Sequence, residues 1–171
     1  MISVNHFVDQ NLLDMIERLH DTLINNAYSI SIAESCTGGF LSSCFTSRSG
    51  SSAYFKGSMV VYSDEAKIAF LDIDEKDIKN HGVASKNIVE LMAKNIQKKF
   101  NTNFGLATTG YVDGISKLHK DPKKEIENYA WISLATDKFV YSKRLVLVED
   151  RLNNIAVVSL ALLELLRKEI I

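Results

Sequence analysis

The chain has 171 residues, 46% of them hydrophobic, which suffices for one packed core but is short for two ordinary domains. Its 20 basic and 21 acidic residues almost cancel, so no broad charge favours nucleic acid or an anionic membrane as a partner. The first residues lack the basic and apolar regions of a signal peptide, and no apolar run reaches the ~20 residues that span a bilayer. We therefore expect a cytoplasmic single domain that binds neither nucleic acid nor membrane.

Hydrophobic periodicity and turn residues predict ten helices and strands. In chain order they are a helix at about 7–25, a strand at 28–33, a short helix ending near 45, a strand at 58–62, a helix from 64, a helix at about 86–100, a strand at 104–109, hairpin strands at 129–136 and 138–148, and a helix at 151–170. Ser63, Ser85 and Asp150 stand where they would cap the helices that follow them. This order predicts an α/β fold in three layers, α/β/α, around one mixed and mostly parallel sheet.

The whole chain, 1–171, is predicted to be one domain, with an N-terminal helix within 1–26. A polar stretch after residue 112 contains the only proline, Pro122, and predicts a variable loop at 111–128. The segment 155–163 is nearly all apolar, and it is either core or the seam of a dimer on the last helix.

Ser35 follows the first predicted strand and precedes a short helix that Gly38 and Gly39 open. Such a turn aims backbone N–H groups and the positive helix end at the space beside the serine, where an oxyanion or a phosphate would be stabilised. The amides from Thr37 to Gly39 are the candidates for this cradle, and the glycines permit close approach of a ligand. A helix cap without catalytic function would use the same residue types, so both interpretations stay open at this point.

A serine becomes a good nucleophile when a base takes its proton. The four histidines lie in predicted helix, turn or loop positions without an obvious acid partner, so a Ser-His-Asp triad is the weaker option. Tyr62 and Lys67 lie near the end of the second strand, and parallel strands share one carboxyl edge, which brings both residues towards Ser35. A lysine whose pKa is lowered by burial can act as the base. A solvated surface lysine is the alternative.

Cys36 is a rival nucleophile, because a helix N-terminus lowers the pKa of a thiol. Cys36 and Cys44 lie on roughly the same helix face, which favours two small core residues instead. Neither cysteine stands in a disulfide framework or in a zinc-binding pattern, so we expect no metal.

Several segments together resemble the CinA C-terminal domain family, also called the nicotinamide-nucleotide amidase family. They are Ala33-Glu34-Ser35-Cys36-Thr37-Gly38-Gly39, then 50–57, 61–67, 81–85, Thr109-Gly110 and Asp150-Arg151, in the order of the family. The resemblance covers nearly all of the chain after the first helix and fits the single-domain form. It implies an α/β/α domain that converts nicotinamide mononucleotide (NMN) to nicotinate mononucleotide and ammonia in pyridine nucleotide salvage. It also implies no organic cofactor, and it favours a homo-oligomer.

In that scheme Ser35 is the nucleophile, and Lys67 and Tyr62 handle the protons. Arg151 matches the late arginine of the family and is suited to hold the substrate phosphate through its fork of donors. The other motif residues expected to bind substrate are Glu34, Thr37, Gly38, Gly39, Thr109 and Gly110.

The chain departs from the family pattern after Gly110. The family usually continues with a Gly/Pro-rich loop, whereas here Tyr111 and a lysine-rich stretch follow, and Tyr129 stands where glycine is usual. Two alternatives therefore accompany the amidase prediction. One is a nucleotide-binding relative with weak or no activity. The other is a hydrolase of a different amide, whose pocket is shaped by Tyr111, Tyr129 and Trp131.

Overall fold

The computed structural model describes residues 10–112 and 128–171. The predicted start of the first helix at Phe7 and most of the predicted variable loop, with Pro122, lie outside these residues. The helices of the described residues are α1 (Gln10–Asn25), α2 (Phe40–Thr46), α3 (Asp64–Leu71), α4 (Glu75–His81), α5 (Lys86–Phe100) and α6 (Arg151–Ile170). The strands are β1 (Ile30–Glu34), β2 (Phe55–Val60), β3 (Phe104–Tyr111), β4 (Asn128–Ala135) and β5 (Val140–Leu147).

The three predicted helix caps are confirmed. The side chains of Ser63, Ser85 and Asp150 each accept hydrogen bonds from backbone N–H groups in the first turn of α3, α5 and α6. The described residues contain one α-helix that was not predicted, α4, which has seven residues and is capped by Asp74. The second strand ends at Val60, earlier than predicted, so Tyr62 lies in the connection that leads into α3.

The described residues form one five-stranded sheet in the order β2-β1-β3-β4-β5. β1 is parallel to both of its neighbours, whereas β4 is antiparallel to β3 and to β5. Four of these five strands therefore point in one direction, which confirms the prediction of a mixed and mostly parallel sheet.

Two hydrophobic clusters cover the two faces of the sheet and confirm the three-layer prediction. One cluster packs α1, α2 and α6 against the sheet, and the other packs α3, α4 and α5 against the opposite face. The apolar stretch of α6 contributes Val158, Leu162 and Leu163 to the first cluster, whereas Val157 is exposed, so most of this stretch is core. No helix in the described residues is both long and apolar enough to cross a membrane.

The parallel register brings the ends of three strands together. Glu34, the last residue of β1, lies opposite Val60 of β2 and opposite Thr108 of β3. The chain therefore leaves all three strands at the same edge of the sheet. In open α/β sheets this carboxyl edge is where ligands bind.

Candidate active site

The turn after β1 holds Ser35 in place through backbone hydrogen bonds. The N–H of Ser35 donates to the carbonyl of Thr108 at 3.1 Å, and the carbonyl of Ser35 accepts from the N–H of Gly38 at 3.1 Å. Gly38 and Gly39 have φ angles of 60° and 98°, a left-handed conformation that glycine adopts at little cost. Two consecutive left-handed residues turn the chain from β1 into α2 and leave the serine at the sheet edge.

Lys67 reaches Ser35 from α3. Its Nζ donates to Ser35 Oγ at 3.2 Å and to the carbonyl of Val61 at 3.0 Å, with the carbonyls of Tyr62 and Ser63 each 3.4 Å away. The lysine side chain is fully buried, and Ser35 is 7% exposed. Lysine side chains are almost never fully buried unless polar partners surround the amine.

Burial lowers the pKa of Lys67 below its ordinary value, and the negative charge of Asp64 opposes that shift. The lowered pKa favours the neutral amine, which has two N–H donors and one lone pair. Three of the four groups around Nζ are carbonyl oxygens, which only accept. Ser35 is the one neighbour that can donate, so its hydroxyl proton faces the lone pair once the lysine is neutral.

Glu34 is buried beneath the turn and faces α2 rather than the sheet edge. Its carboxylate accepts from the N–H groups of Gly39, Leu41 and Ser42 and from the hydroxyls of Thr37 and Ser42. The negative charge therefore lies at the N-terminus of α2 and compensates the positive end of that helix. Glu34 thus stabilises the turn that holds Ser35.

Hydrogen bonds within the turn already engage part of the predicted cradle of backbone amides. Gly39 gives its N–H to Glu34, and Gly38 gives its N–H to Ser35. The hydroxyl of Thr37 is also engaged, with Glu34 at 2.6 Å and with Thr108 at 2.8 Å. Within the described residues, the N–H groups of Cys36 and Thr37 donate to no backbone carbonyl.

A cleft of about 230 Å³ lies over Ser35 and Lys67 at the carboxyl edge of the sheet. Six of the ten predicted site residues line it, and the four from the turn, Glu34, Thr37, Gly38 and Gly39, do not. The full lining is Ser35, Cys36, Tyr62, Asp64, Lys67, Val83, Thr109, Gly110, Tyr111, Val112 and Arg151.

Tyr62 and Arg151 meet across the cleft. Tyr62 is 59% exposed, and its hydroxyl oxygen accepts from Arg151 at 2.8 Å. The backbone carbonyl of Tyr62, rather than its phenol, contacts Lys67. Arg151 is the first residue of α6, where a cation is disfavoured by the helix dipole, so its position at the cleft is not explained by the helix itself.

Gly110 and Thr109 form the wall supplied by β3. A Cβ atom on Gly110 would lie 2.4 Å from the carbonyl oxygen of Tyr129, so only glycine fits at this point between β3 and β4. The hydroxyl of Thr109 donates to the carbonyl of Val83 at 3.0 Å. This bond joins the end of β3 to the connection that precedes α5.

The aromatic residues that depart from the family pattern lie on β3 and β4. Tyr111 lines the cleft, and its ring contacts that of Tyr129 edge to face at 5.6 Å between centroids. Tyr129 is not part of the cleft lining, because its hydroxyl extends to the carbonyl of Ala84. Trp131 packs against the α5 side of the sheet. Of the three, Tyr111 alone faces the cleft in the described residues.

Sequence reasoning missed Asp64, Val83 and Val112 as cleft residues. Asp64 and Val83 stand inside the segments that carry the family resemblance, which is the signal that would have found them. Cys36, the rival nucleophile, is 4% exposed, and burial raises its pKa to about 12. A thiol of that acidity is protonated at neutral pH and is a poor nucleophile.

The chain is similar in sequence to known proteins. A model of the CinA C-terminal domain family matches residues 12–170. The CinA-like protein of Flavobacterium psychrophilum is 41% identical over 165 residues, covering 96% of this chain and 38% of that protein. The CinA-like protein of Amoebophilus asiaticus is 35% identical over 158 residues, covering 92% and 37%. The chain therefore spans less than two fifths of the length of these curated relatives.

Solved structures share the fold at lower identity. The crystal structure of the competence damage-inducible protein A from Klebsiella pneumoniae has a TM-score of 0.85 at 21% identity, over 94% of this chain and 97% of that chain. The competence/damage inducible protein from Agrobacterium tumefaciens has a TM-score of 0.85 at 20% identity, over 95% and 98%. Both likenesses concern the fold.

Proposed function

Because the chain belongs to the CinA C-terminal domain family, we propose that it is an amidohydrolase that converts NMN to nicotinate mononucleotide and ammonia. The observation that carries the proposal is the buried Lys67 amine, 3.2 Å from Ser35 Oγ. A serine with an adjacent base of lowered pKa is the arrangement that nucleophilic acyl transfer needs.

In the first half of the reaction, Ser35 Oγ attacks the carboxamide carbon and its proton passes to the neutral amine of Lys67. The resulting ammonium has three N–H groups, which the carbonyls of Val61, Tyr62 and Ser63 can accept. We assign the stabilisation of the oxyanion to the backbone N–H of Cys36, the residue that follows the serine and lines the cleft, as in other sites where a nucleophilic serine follows a strand.

In the second half, the tetrahedral intermediate collapses, and the carbon–nitrogen bond breaks. The departing nitrogen takes a proton from the Lys67 ammonium and leaves as ammonia, which restores the neutral amine. Tyr62 lines the cleft with its oxygen accepting from Arg151, so its own proton is available to assist this departure. Water then attacks the ester and gives a proton to Lys67. As the ester bond breaks, the Lys67 ammonium returns this proton to Ser35 Oγ, and the nicotinate product leaves.

Arg151 is proposed to bind the phosphate of the substrate. Its guanidinium presents several donors in a fixed fork that matches phosphate geometry. It makes no ion pair with an acid of the described residues.

The test is ammonia release from NMN by the purified chain. Ser35→Ala and Lys67→Met are each expected to lower the rate at least about 10³-fold, as for other residues that act as one catalytic unit. Ser43→Ala is the matched control, because Ser43 lies on α2 outside the cleft and its hydroxyl donates to the carbonyl of Phe40. A folded wild-type chain that binds NMN, seen as thermal stabilisation, but releases no ammonia would show a binding protein instead.

A further inference from the structure

The cleft contains two opposite charges that do not neutralise each other. Asp64 and Arg151 both line it, yet no ion pair joins them within the described part of the chain. Lys67 is buried, and this burial lowers the pKa of its amine. A ligand with one cationic and one anionic group would pair with both charges at once.

Asp64 begins α3 but is not the residue that caps it. Ser63 caps α3 by accepting from the N–H of Ala66 at 3.1 Å, whereas the carboxylate of Asp64 has no hydrogen bond or ion pair with any described residue. Its charge nevertheless acts on two residues of the cleft, since it opposes the lowering of the Lys67 pKa. It also adds to the effect of burial and of Tyr129 in raising the pKa of Tyr111. Asp64 shares one cleft with both Lys67 and Tyr111.

Tyr111 is held as a rigid wall by its neighbours. Its ring contacts Tyr129 edge to face, and Tyr129 is fixed by its hydrogen bond to the carbonyl of Ala84 at 3.1 Å. The guanidinium carbon of Arg144 lies 4.5 Å from the centroid of the Tyr129 ring. The face of an uncharged tyrosine carries negative electrostatic potential and attracts cations. A carboxylate and an uncharged tyrosine ring in one cleft together favour a positively charged group.

We propose that Asp64 and Tyr111 make the cleft selective for a permanently cationic heteroaromatic ring, while Arg151 holds the anionic group of the same molecule. The inference rests on the proposed function for its choice of ligand, because the pyridinium ring of NMN is such a cation and its phosphate is the anion. It assigns the departure from the family pattern at Tyr111 a role in specificity. Neutral carboxamides of the same shape would be bound more weakly.

The experiment compares two ligands that differ in the charge of the ring. NMN and its dihydropyridine form share the ribose phosphate and the carboxamide, but the reduced ring is neutral. Titration calorimetry is carried out on Ser35→Ala protein, which removes turnover. The cationic form is expected to bind at least about tenfold more tightly, the range of one cation–π contact together with one charge pair.

Asp64→Asn and Tyr111→Leu, each in the Ser35→Ala protein, are expected to reduce this preference at least about threefold. Glu75→Gln is the control, because it removes the same charge from the exposed surface of α4, where Glu75 pairs with Lys79. It is expected to leave the preference unchanged. Equal affinity for the two forms, no binding of either, or equal effects of Asp64→Asn and Glu75→Gln would overturn the inference. Selective binding without ammonia release from the wild type would overturn only the proposed reaction.

Discussion

Lys67 Nζ and Ser35 Oγ are 3.2 Å apart although 32 residues separate them along the chain. The parallel pairing of β1 with β2 places the residues after both strands at one edge, and α3 then returns its second turn towards the serine. The lysine is fully buried at this point, with carbonyls on the sides that do not face Ser35. Its geometry and its protonation are therefore set by the same packing.

Activity is expected to depend on the protonation of Lys67. The base must be neutral, so kcat/KM should rise with pH through the lowered pKa of Lys67. Asp64 stabilises the ammonium, and Asp64→Asn should therefore lower that pKa further and move the rising limb to lower pH. The pH profile of ammonia release from NMN measures both effects. An unshifted limb in Asp64→Asn would contradict the assignment, and Lys56→Met, a change at an exposed lysine, should leave the profile as in the wild type.

The same pKa predicts how stability varies with pH. Because the pKa of Lys67 is lower in the folded chain than in the unfolded chain, the unfolded state binds more protons between the two values. Stability then rises with pH in that window. Wild type should gain stability relative to Lys67→Met as pH rises towards the unfolded pKa of about 10.4, by at most about 1.4 kcal/mol per pH unit. Urea unfolding at a series of pH values measures the difference, which should stay constant if Lys67 remained charged in the folded state.

Glu34→Gln is expected to destabilise the fold by about 2–4 kcal/mol. The buried carboxylate accepts five hydrogen bonds. In glutamine an NH2 group replaces one of the two oxygens, and its N–H donors would face the donors that now bind that oxygen. Thermal unfolding measures the loss. Glu164→Gln on the exposed side of α6 is the control and should change stability by less than about 0.5 kcal/mol. An unaltered melting temperature in Glu34→Gln would contradict the capping role.

Much of this site can be predicted from local sequence patterns. Hydrophobic periodicity locates most helices and strands, and the caps Ser63 and Asp150 follow from residue type and position. The approach of Lys67 to Ser35 follows from a general property of parallel strands, which is that their carboxyl ends share an edge. These features depend on neighbours in the chain or on a rule of topology, and sequence carries both.

Other features depend on partners that no local pattern reveals. Alternation along β1 puts Glu34 on the same face as Ile32, but the donors that surround its carboxylate become apparent only when α2 is folded against it. Tyr62 contacts Arg151, 89 residues later in the chain. The helix α4 has seven residues, too few for a periodic signal to stand out.

Cys36→Ala is expected to retain the activity within about threefold, since the thiol has a pKa of about 12 and is protonated at neutral pH. The backbone N–H proposed for the oxyanion is unchanged by this substitution. Ammonia release from NMN measures the effect, with Ser35→Ala as the comparison. A loss as large as that of Ser35→Ala, in a variant that unfolds at the wild-type temperature, would make Cys36 the nucleophile.

Gly110→Ala is expected to damage the cleft by forcing β3 and β4 apart. The new Cβ would lie 2.4 Å from the carbonyl oxygen of Tyr129 and 2.5 Å from Cα of Ala130, and overpacking of this kind costs about 1–3 kcal/mol. Because Thr109 and Tyr111 flank the site of strain, the KM for NMN should rise together with the loss of stability. Adding Ala130→Gly removes a Cβ that lies 2.9 Å away but leaves the nearer backbone atoms. The double variant should therefore remain impaired, and full recovery would show that the clash involves the side chain alone.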